Sequence, residues 1–161
     1  MTLWLLRHGE AHPEAESDEA RKLTPYGIEQ VRFIAEQLVD QPLDMILTSP
    51  YVRAKETTQV VQHRFYENRQ RAAVPVTTVP WITPDDRVHD VLNGLENYYP
   101  QYKHLLIVSH QPLLGYLAGW LEYGHKQQIP FGTASLAQFE GSWLGAGSLQ
   151  LKQIFHADIP R

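Results

Sequence analysis

The sequence predicts a three-layer α/β/α domain with a mostly parallel central sheet, helices on both faces and an antiparallel C-terminal end. Three observations carry this. Apolar runs of strand length alternate with helically spaced apolar segments from residue 2 to about residue 122, the pattern of parallel strands buried between helices. Ser49-Pro50 and Gln111-Pro112 open helices directly after two of those strands. Beyond residue 134 the helical spacing stops, and segments 134–140 and 148–156 flank the Gly-rich stretch 141–147, which reads as an antiparallel pair. The chain has 161 residues and no linker, low-complexity tract or repeat, so one domain over 1–161 is expected.

Taken in order, Leu3-Trp4-Leu5-Leu6 makes residues 2–7 a buried strand that ends at Arg7-His8-Gly9. Residues 10–23 are polar, contain Pro13, and read as a long loop over the strand ends. Thr24 caps a helix whose first residue is Pro25. Ile28, Val31, Ile34, Ala35 and Leu38 carry it to about residue 40, and Pro42 ends it. Leu43 to Leu47 is the second strand. Thr48-Ser49-Pro50 closes it and opens a helix to about residue 66, with Val52, Thr57, Val60, Val61 and Phe65 facing inward. Residues 74–80 form a third strand and 85–99 a weaker helix. His104 to Val108 is the fourth strand, and Pro112 starts a helix to about residue 122.

Composition excludes several classes of function. The net charge of -4 argues against nucleic acid as a partner. Arg64, Arg69 and Arg71 form the densest basic run and read as the solvated end of a helix. The absence of cysteine removes disulfides, thiolate metal sites and cysteine nucleophiles. No stretch approaches the roughly 18 apolar residues of a membrane span, and no leader precedes the first strand, so a cytoplasmic protein is expected. His8 and His12 have metal-ligand spacing, but Gly9 and Pro13 deny the helix that would align them. No metal or other cofactor is expected. His63, His89, His104, His125 and His156 read as structural or exposed, and Trp81, Trp120 and Trp143 as core or edge packing.

The chemistry-bearing residues fall at strand ends. They are Arg7 and His8, then Ser49 with Arg53 one helical turn later, then His110. If strands one, two and four are neighbours, these side chains converge at the carboxyl end of the sheet, where open α/β sheets bind ligands. A neutral imidazole at position 8 is a nucleophile suited to phosphorus, and Arg7 and Arg53 can neutralise phosphoryl oxygens. Amides at the start of the helix near Pro50 would add partial positive charge. The two arginines are expected to lower the imidazole pKa.

Four segments resemble the histidine phosphatase superfamily, the phosphoglycerate mutase-like fold, and within it the phosphohistidine phosphatase SixA group. They are Leu6-Arg7-His8-Gly9-Glu10-Ala11, Leu23-Thr24-Pro25-Tyr26-Gly27, Thr48-Ser49-Pro50-Tyr51-Val52-Arg53-Ala54, and the run Val108 to Leu117 that begins Val-Ser-His-Gln-Pro. The resemblance implies that His8 is the nucleophile, that Arg7 and Arg53 bind phosphate, and that His110 is the second pocket histidine. Many members carry an acidic residue after the second histidine or in an insertion after the third strand. Here Gln111-Pro112 and a short segment 80–100 stand instead. The SixA-like loop points to Asp18 as proton donor, ahead of Glu10 and Asp85, although Asp18 by itself reads as a solvated carboxylate. Arg21 can reach the same pocket.

The expected function is a phosphatase working through a phosphohistidine intermediate. Its expected substrate is a phosphorylated protein, the phosphohistidine of a histidine-containing phosphotransfer domain in a signalling relay. A small phosphomonoester phosphatase and a non-catalytic phosphate-binding module are the alternatives. A monomer is favoured, though nothing in the sequence sets the oligomeric state.

Overall fold

The computed structural model describes residues 1–161. Ten elements follow in order: β1 (Thr2–Arg7), α1 (Pro25–Ala35), β2 (Met45–Thr48), α2 (Val52–Glu67), β3 (Val76–Thr78), α3 (Val88–Leu95), β4 (His104–Ser109), α4 (Leu113–Tyr123), β5 (Leu136–Glu140) and β6 (Gln150–Phe155). The six strands form one sheet in the order β3-β2-β4-β1-β5-β6. β1, β2, β3 and β4 pair in parallel, whereas β5 and β6 are antiparallel to their neighbours.

Alternation along the strands divides the core between two faces. Leu3, Leu5, Met45, Leu47, Leu105 and Ile107 pack with the buried residues of α3 and α4. Trp4, Leu6, Ile46, Leu106 and Val108 pack with α1 and α2. Both faces are covered, so these strands are apolar at nearly every position, as parallel strands buried on two sides must be.

Register places the carboxyl ends of three strands level. Arg7 lies opposite Ser109, and Thr48 opposite Val108. The next residues continue the pattern, with the His8 amide donating to the Ser109 carbonyl and the Ser49 amide to that of Val108. His8, Ser49 and His110 therefore leave the sheet side by side.

Several boundaries differ from the sequence reading. α1 ends at Ala35 rather than near residue 40, because the amides of Gln37 and Leu38 turn back to carbonyls three residues earlier. Leu38 is still buried, which is why its spacing looked helical. β2 begins at Met45, because the preceding Asp44 side chain accepts from the Lys103 and His104 amides. α3 starts at Val88, because Asp86 binds both the amide and the hydroxyl of Thr83 and holds residues 83–86 in a turn. Val60 is only half-buried, and Trp143 is exposed. Arg71 is not solvated: its guanidinium lies 4.1 Å from the centroid of the Phe65 ring and donates to the Val39 carbonyl.

The loop after β1 is pressed onto the start of α1. Thr24 caps that helix by accepting from the Gly27 amide at 2.9 Å, and its own amide donates to the Glu10 carbonyl. A Cβ at position 27 would lie 2.1 Å from the Glu10 carbonyl oxygen, and one at position 9 would lie 2.6 Å from that of Gly27. Two glycines thus let the backbone beside His8 touch the helix. Gly27→Ala is expected to cost about 1–3 kcal/mol or more by forcing these backbones apart. Urea unfolding of the variant would measure the loss, and an unchanged midpoint would refute the contact's importance.

Candidate active site

His8 is buried, and its ring is tied at both nitrogens. Nδ1 lies 2.7 Å from the Gly9 carbonyl oxygen, which only accepts, so Nδ1 carries the proton. Nε2 accepts from the Nε–H of Arg53 at 3.2 Å. Both contacts select the same neutral tautomer, with its lone pair on Nε2. The backbone is equally constrained. The His8 carbonyl accepts from the Ala134 amide, and the Gly9 amide donates to the Thr57 hydroxyl at 3.1 Å. Thr57 stands one turn after Arg53 on α2 and donates to the Arg53 carbonyl.

His110 leaves β4 beside this ring, with centroids 5.1 Å apart. Its Nε2 is 2.7 Å from the Ser49 hydroxyl oxygen, while Nδ1 is buried with no protein partner. The edge of Tyr51 meets His110 with centroids 5.0 Å apart, and the Arg53 guanidinium lies 5.1 Å from the centroid of the same Tyr51 ring. Arg7 donates through Nη1 to the Phe131 carbonyl at 2.9 Å, and its Nε is buried without a protein partner. Buried donors that no protein atom satisfies are uncommon and call for an explanation. Here two of them, on Arg7 and His110, belong to one cluster.

Burial dominates the electrostatics. It lowers the His8 pKa to about 3; the Gly9 hydrogen bond works against this, and the charges of Arg53, Arg7 and Arg21 add smaller lowering effects. It lowers that of His110 to about 2, again with help from His8 and the same arginines. The sequence reading credited the arginines first, but loss of water is the larger cause. Desolvation, then Arg53 and Arg21, also lowers the Arg7 pKa.

Asp18 and Arg21 reach the site from the loop before α1. Arg53 donates through Nη1 to the Asp18 carbonyl at 2.6 Å and through Nη2 to its carboxylate at 3.2 Å. Arg21 donates to the other carboxylate oxygen at 3.0 Å. Burial raises the Asp18 pKa, but the hydrogen bonds and charges of the two arginines outweigh it and hold the group below the ordinary carboxylate range. Glu10 faces away from this cluster, toward the Thr24 hydroxyl and Arg161. Asp85 lies in a groove shared with Pro112, Leu113 and Tyr116. Two of the amides at the start of α2 already have protein partners: Tyr51 donates to Ser49 Oγ and Val52 to the Glu19 carbonyl.

The structure thus brings Arg7, His8, Arg53, His110, Asp18 and Arg21 together and leaves Glu10 apart. The sequence reading missed the supporting roles of Thr57, Tyr51 and the Phe131 carbonyl. Thr57 was legible in principle, since it lies four residues after Arg53 on the same helix face. A cavity of about 730 Å³ lies at the opposite end of α2, lined by Phe65, Tyr66 and Arg71. Its nearest lining residue on the helix, Gln59, lies six residues beyond Arg53, about 9 Å along the axis.

Comparison with known proteins agrees with this geometry. A family model for the histidine phosphatase superfamily (branch 1) matches residues 3–74. The chain is 40% identical over 152 residues to the phosphohistidine phosphatase SixA homolog of Haemophilus influenzae, covering 86% of this chain and 87% of that protein. The chain belongs to the histidine phosphatase superfamily, in its SixA group. This histidine phosphatase is also 32% identical over 145 residues to phosphohistidine phosphatase SixA of Escherichia coli, covering 85% of this chain and 83% of that one. Among solved structures, that of the protein histidine phosphatase SixA complexed with tungstate superposes with a TM-score of 0.84 at 26% identity, covering 98% of this chain and 97% of that one. The chain has the phosphoglycerate mutase-like fold and is a phosphatase. No helix is long and apolar enough to cross a membrane.

The depressed imidazole pKa values have a consequence with a definite sign. Both rings stay neutral in the ligand-free fold, whereas unfolded imidazoles bind protons below about pH 6.5. The unfolded chain therefore gains protons first on acidification, and this histidine phosphatase loses stability as pH falls from about 6.5 toward 3. Nitrogen chemical shifts of His8 between pH 5 and 8 are expected to show one neutral Nδ1–H tautomer without titration. A midpoint near 6.5 would refute it.

Proposed function

We propose that this phosphatase removes the phosphoryl group from phosphohistidine on a protein, by way of a covalent phosphoryl group on His8. The supporting observation is the orientation of the His8 ring. The Gly9 carbonyl takes the Nδ1 proton and leaves the Nε2 lone pair directed at Arg53, where an oxyanion would be received.

In the first step the hydrogen bond from Arg53 to His8 Nε2 breaks, the freed lone pair attacks phosphorus, and the bond from phosphorus to the substrate's imidazole nitrogen breaks. In the second step water attacks phosphorus, the bond to His8 breaks, and inorganic phosphate leaves. Arg7 and Arg53 neutralise the equatorial oxygens as charge spreads over them. The unpartnered Arg7 Nε and His110 Nδ1 are the donors for those oxygens, and the Ser49 hydroxyl turns His110 by donating to its Nε2.

Two observations favour a phosphohistidine substrate. The relatives at 40% and 32% identity are named for phosphohistidine. The Asp18 carboxyl, the nearest acid, is held ionised by Arg21 and Arg53 and so offers no proton to an alkoxide. A phosphorus–nitrogen bond needs less assistance, because a leaving imidazole protonates readily near neutral pH. Segment 79–87, between β3 and α3, is only nine residues long and carries no lid-sized insertion, which suits a protein side chain as substrate. The substrate in this reading is a signalling phosphotransfer protein, met in the cytoplasm.

The test is phosphoryl trapping with a phosphohistidine protein as donor. Wild-type enzyme is expected to acquire an acid-labile, base-stable phosphoryl group, and His8→Ala to lose both the label and turnover. Arg53→Ala should lower turnover by about 10²-fold or more. Hydrolysis by His8→Ala at the wild-type rate would sink the covalent route. Turnover of sugar phosphates alone would sink the assigned substrate.

A further inference from the structure

Arg53 is a buried guanidinium at the site whose charge is already matched by a carboxylate. Its three hydrogen bonds go to His8 Nε2, to the Asp18 carbonyl and to the Asp18 carboxylate. Arg21 holds the other oxygen of that carboxylate through Nη1, while its Nε donates to the His12 carbonyl at 2.7 Å. One carboxylate is therefore shared between two guanidiniums, one oxygen on each. Arginine forks receive carboxylates and phosphoryl groups in the same planar manner, so both ligands compete for the same N–H vectors. Arg7 is different. It rests on the Phe131 carbonyl, and its Nε has no protein partner.

The partners of this ion pair differ in freedom. The Arg53 side chain is 5% exposed on a regular helix, whereas that of Asp18 is 56% exposed on the irregular loop before α1. Moving the arginine would strip a buried cation of its contacts. Moving the carboxylate returns a mostly solvated group to water. The exchangeable member of the pair is Asp18.

Resting on the reading of this cluster as a phosphoryl site, we infer that Asp18 is an internal competitor for the oxyanion. Its carboxylate occupies donor positions on Arg53 and Arg21 that the phosphoryl group takes over, and it returns to them as inorganic phosphate leaves. Without it, Arg7, Arg21 and Arg53 would face a dianion with no opposing charge, and the product would be retained. The carboxylate limits how tightly the site holds phosphate, and the uncharged amide of Asn would remove that limit while keeping the shape. Asp18 thus sets the affinity for phosphate by acting through the arginines, and it need not donate a proton.

Calorimetric titration of inorganic phosphate into wild type, Asp18→Asn and Glu19→Gln tests this without relying on turnover. Glu19 is the control, because it is tied to the start of α2 through its backbone carbonyl and carries the same charge one residue away. The Kd for phosphate is expected to fall on the order of tenfold in Asp18→Asn, the scale of one neighbouring charge partly screened by solvent, and to stay within twofold in Glu19→Gln. Asp18→Ser should shift Kd in the same direction. An unchanged or raised Kd in Asp18→Asn overturns the inference, because a residue that merely organises the arginines would weaken binding when replaced. An equal fall in Glu19→Gln also overturns it, because the effect would then be diffuse charge. Wild type that binds no phosphate would instead sink the reading of the site itself.

Discussion

The site depends on a hydrogen bond between adjacent residues, from His8 Nδ1 to the Gly9 carbonyl. It costs no loop closure and uses no distant partner. It decides which nitrogen carries the proton, and hence which one can attack. The bond holds only if the Gly9 backbone is fixed, and that fixation is tertiary. The Gly9 amide is taken by Thr57 of α2, the Glu10 amide by Gln30 of α1, and the Glu10 carbonyl by the Thr24 amide. Gly9 and Gly27 allow these elements to approach that closely. The nucleophile is in effect oriented by two helices through one carbonyl oxygen.

Around that ring the protein gathers three cations and two uncharged imidazoles with little water. Such a cluster is unfavourable by itself, because burial disfavours every charged form. The fold tolerates it by leaving the imidazoles neutral, by resting Arg7 on a carbonyl, and by sharing one carboxylate between Arg53 and Arg21. The two apolar clusters on either side of the sheet supply the opposing stability. The same unfavourable balance readies the site for an oxyanion, since negative charge there relieves repulsion that the fold already bears.

Much of this was legible in the residues. Long apolar runs identified β1 and β4, and Thr24-Pro25 identified the start of α1, because burial on both faces and helix capping each leave a local signature. Arg7, His8, Arg53 and His110 stood out because they follow strands directly. The weaker signals misled for physical reasons. Leu38 keeps helical spacing through a tight turn, so α1 looked longer than it is. Arg71 seemed part of a solvated basic run, but Phe65 and the Val39 carbonyl fold it back. Of the amides at the start of α2 that looked free for an anion, Ser49 takes that of Tyr51 and Glu19 that of Val52. Contacts of this kind depend on partners far away in the chain, which no local pattern records.

The residues alone determined the layered α/β architecture, the superfamily and the strand-end positions of the reactive groups, because periodicity, capping and motif order are properties of neighbouring residues. Only the tertiary structure decided that β4 lies between β2 and β1 with level ends, that burial more than arginine charge keeps the imidazoles neutral, and that Asp18 is bound to Arg53. Those outcomes depend on desolvation and on distances between segments more than thirty residues apart, and both come into being only when the chain closes on itself.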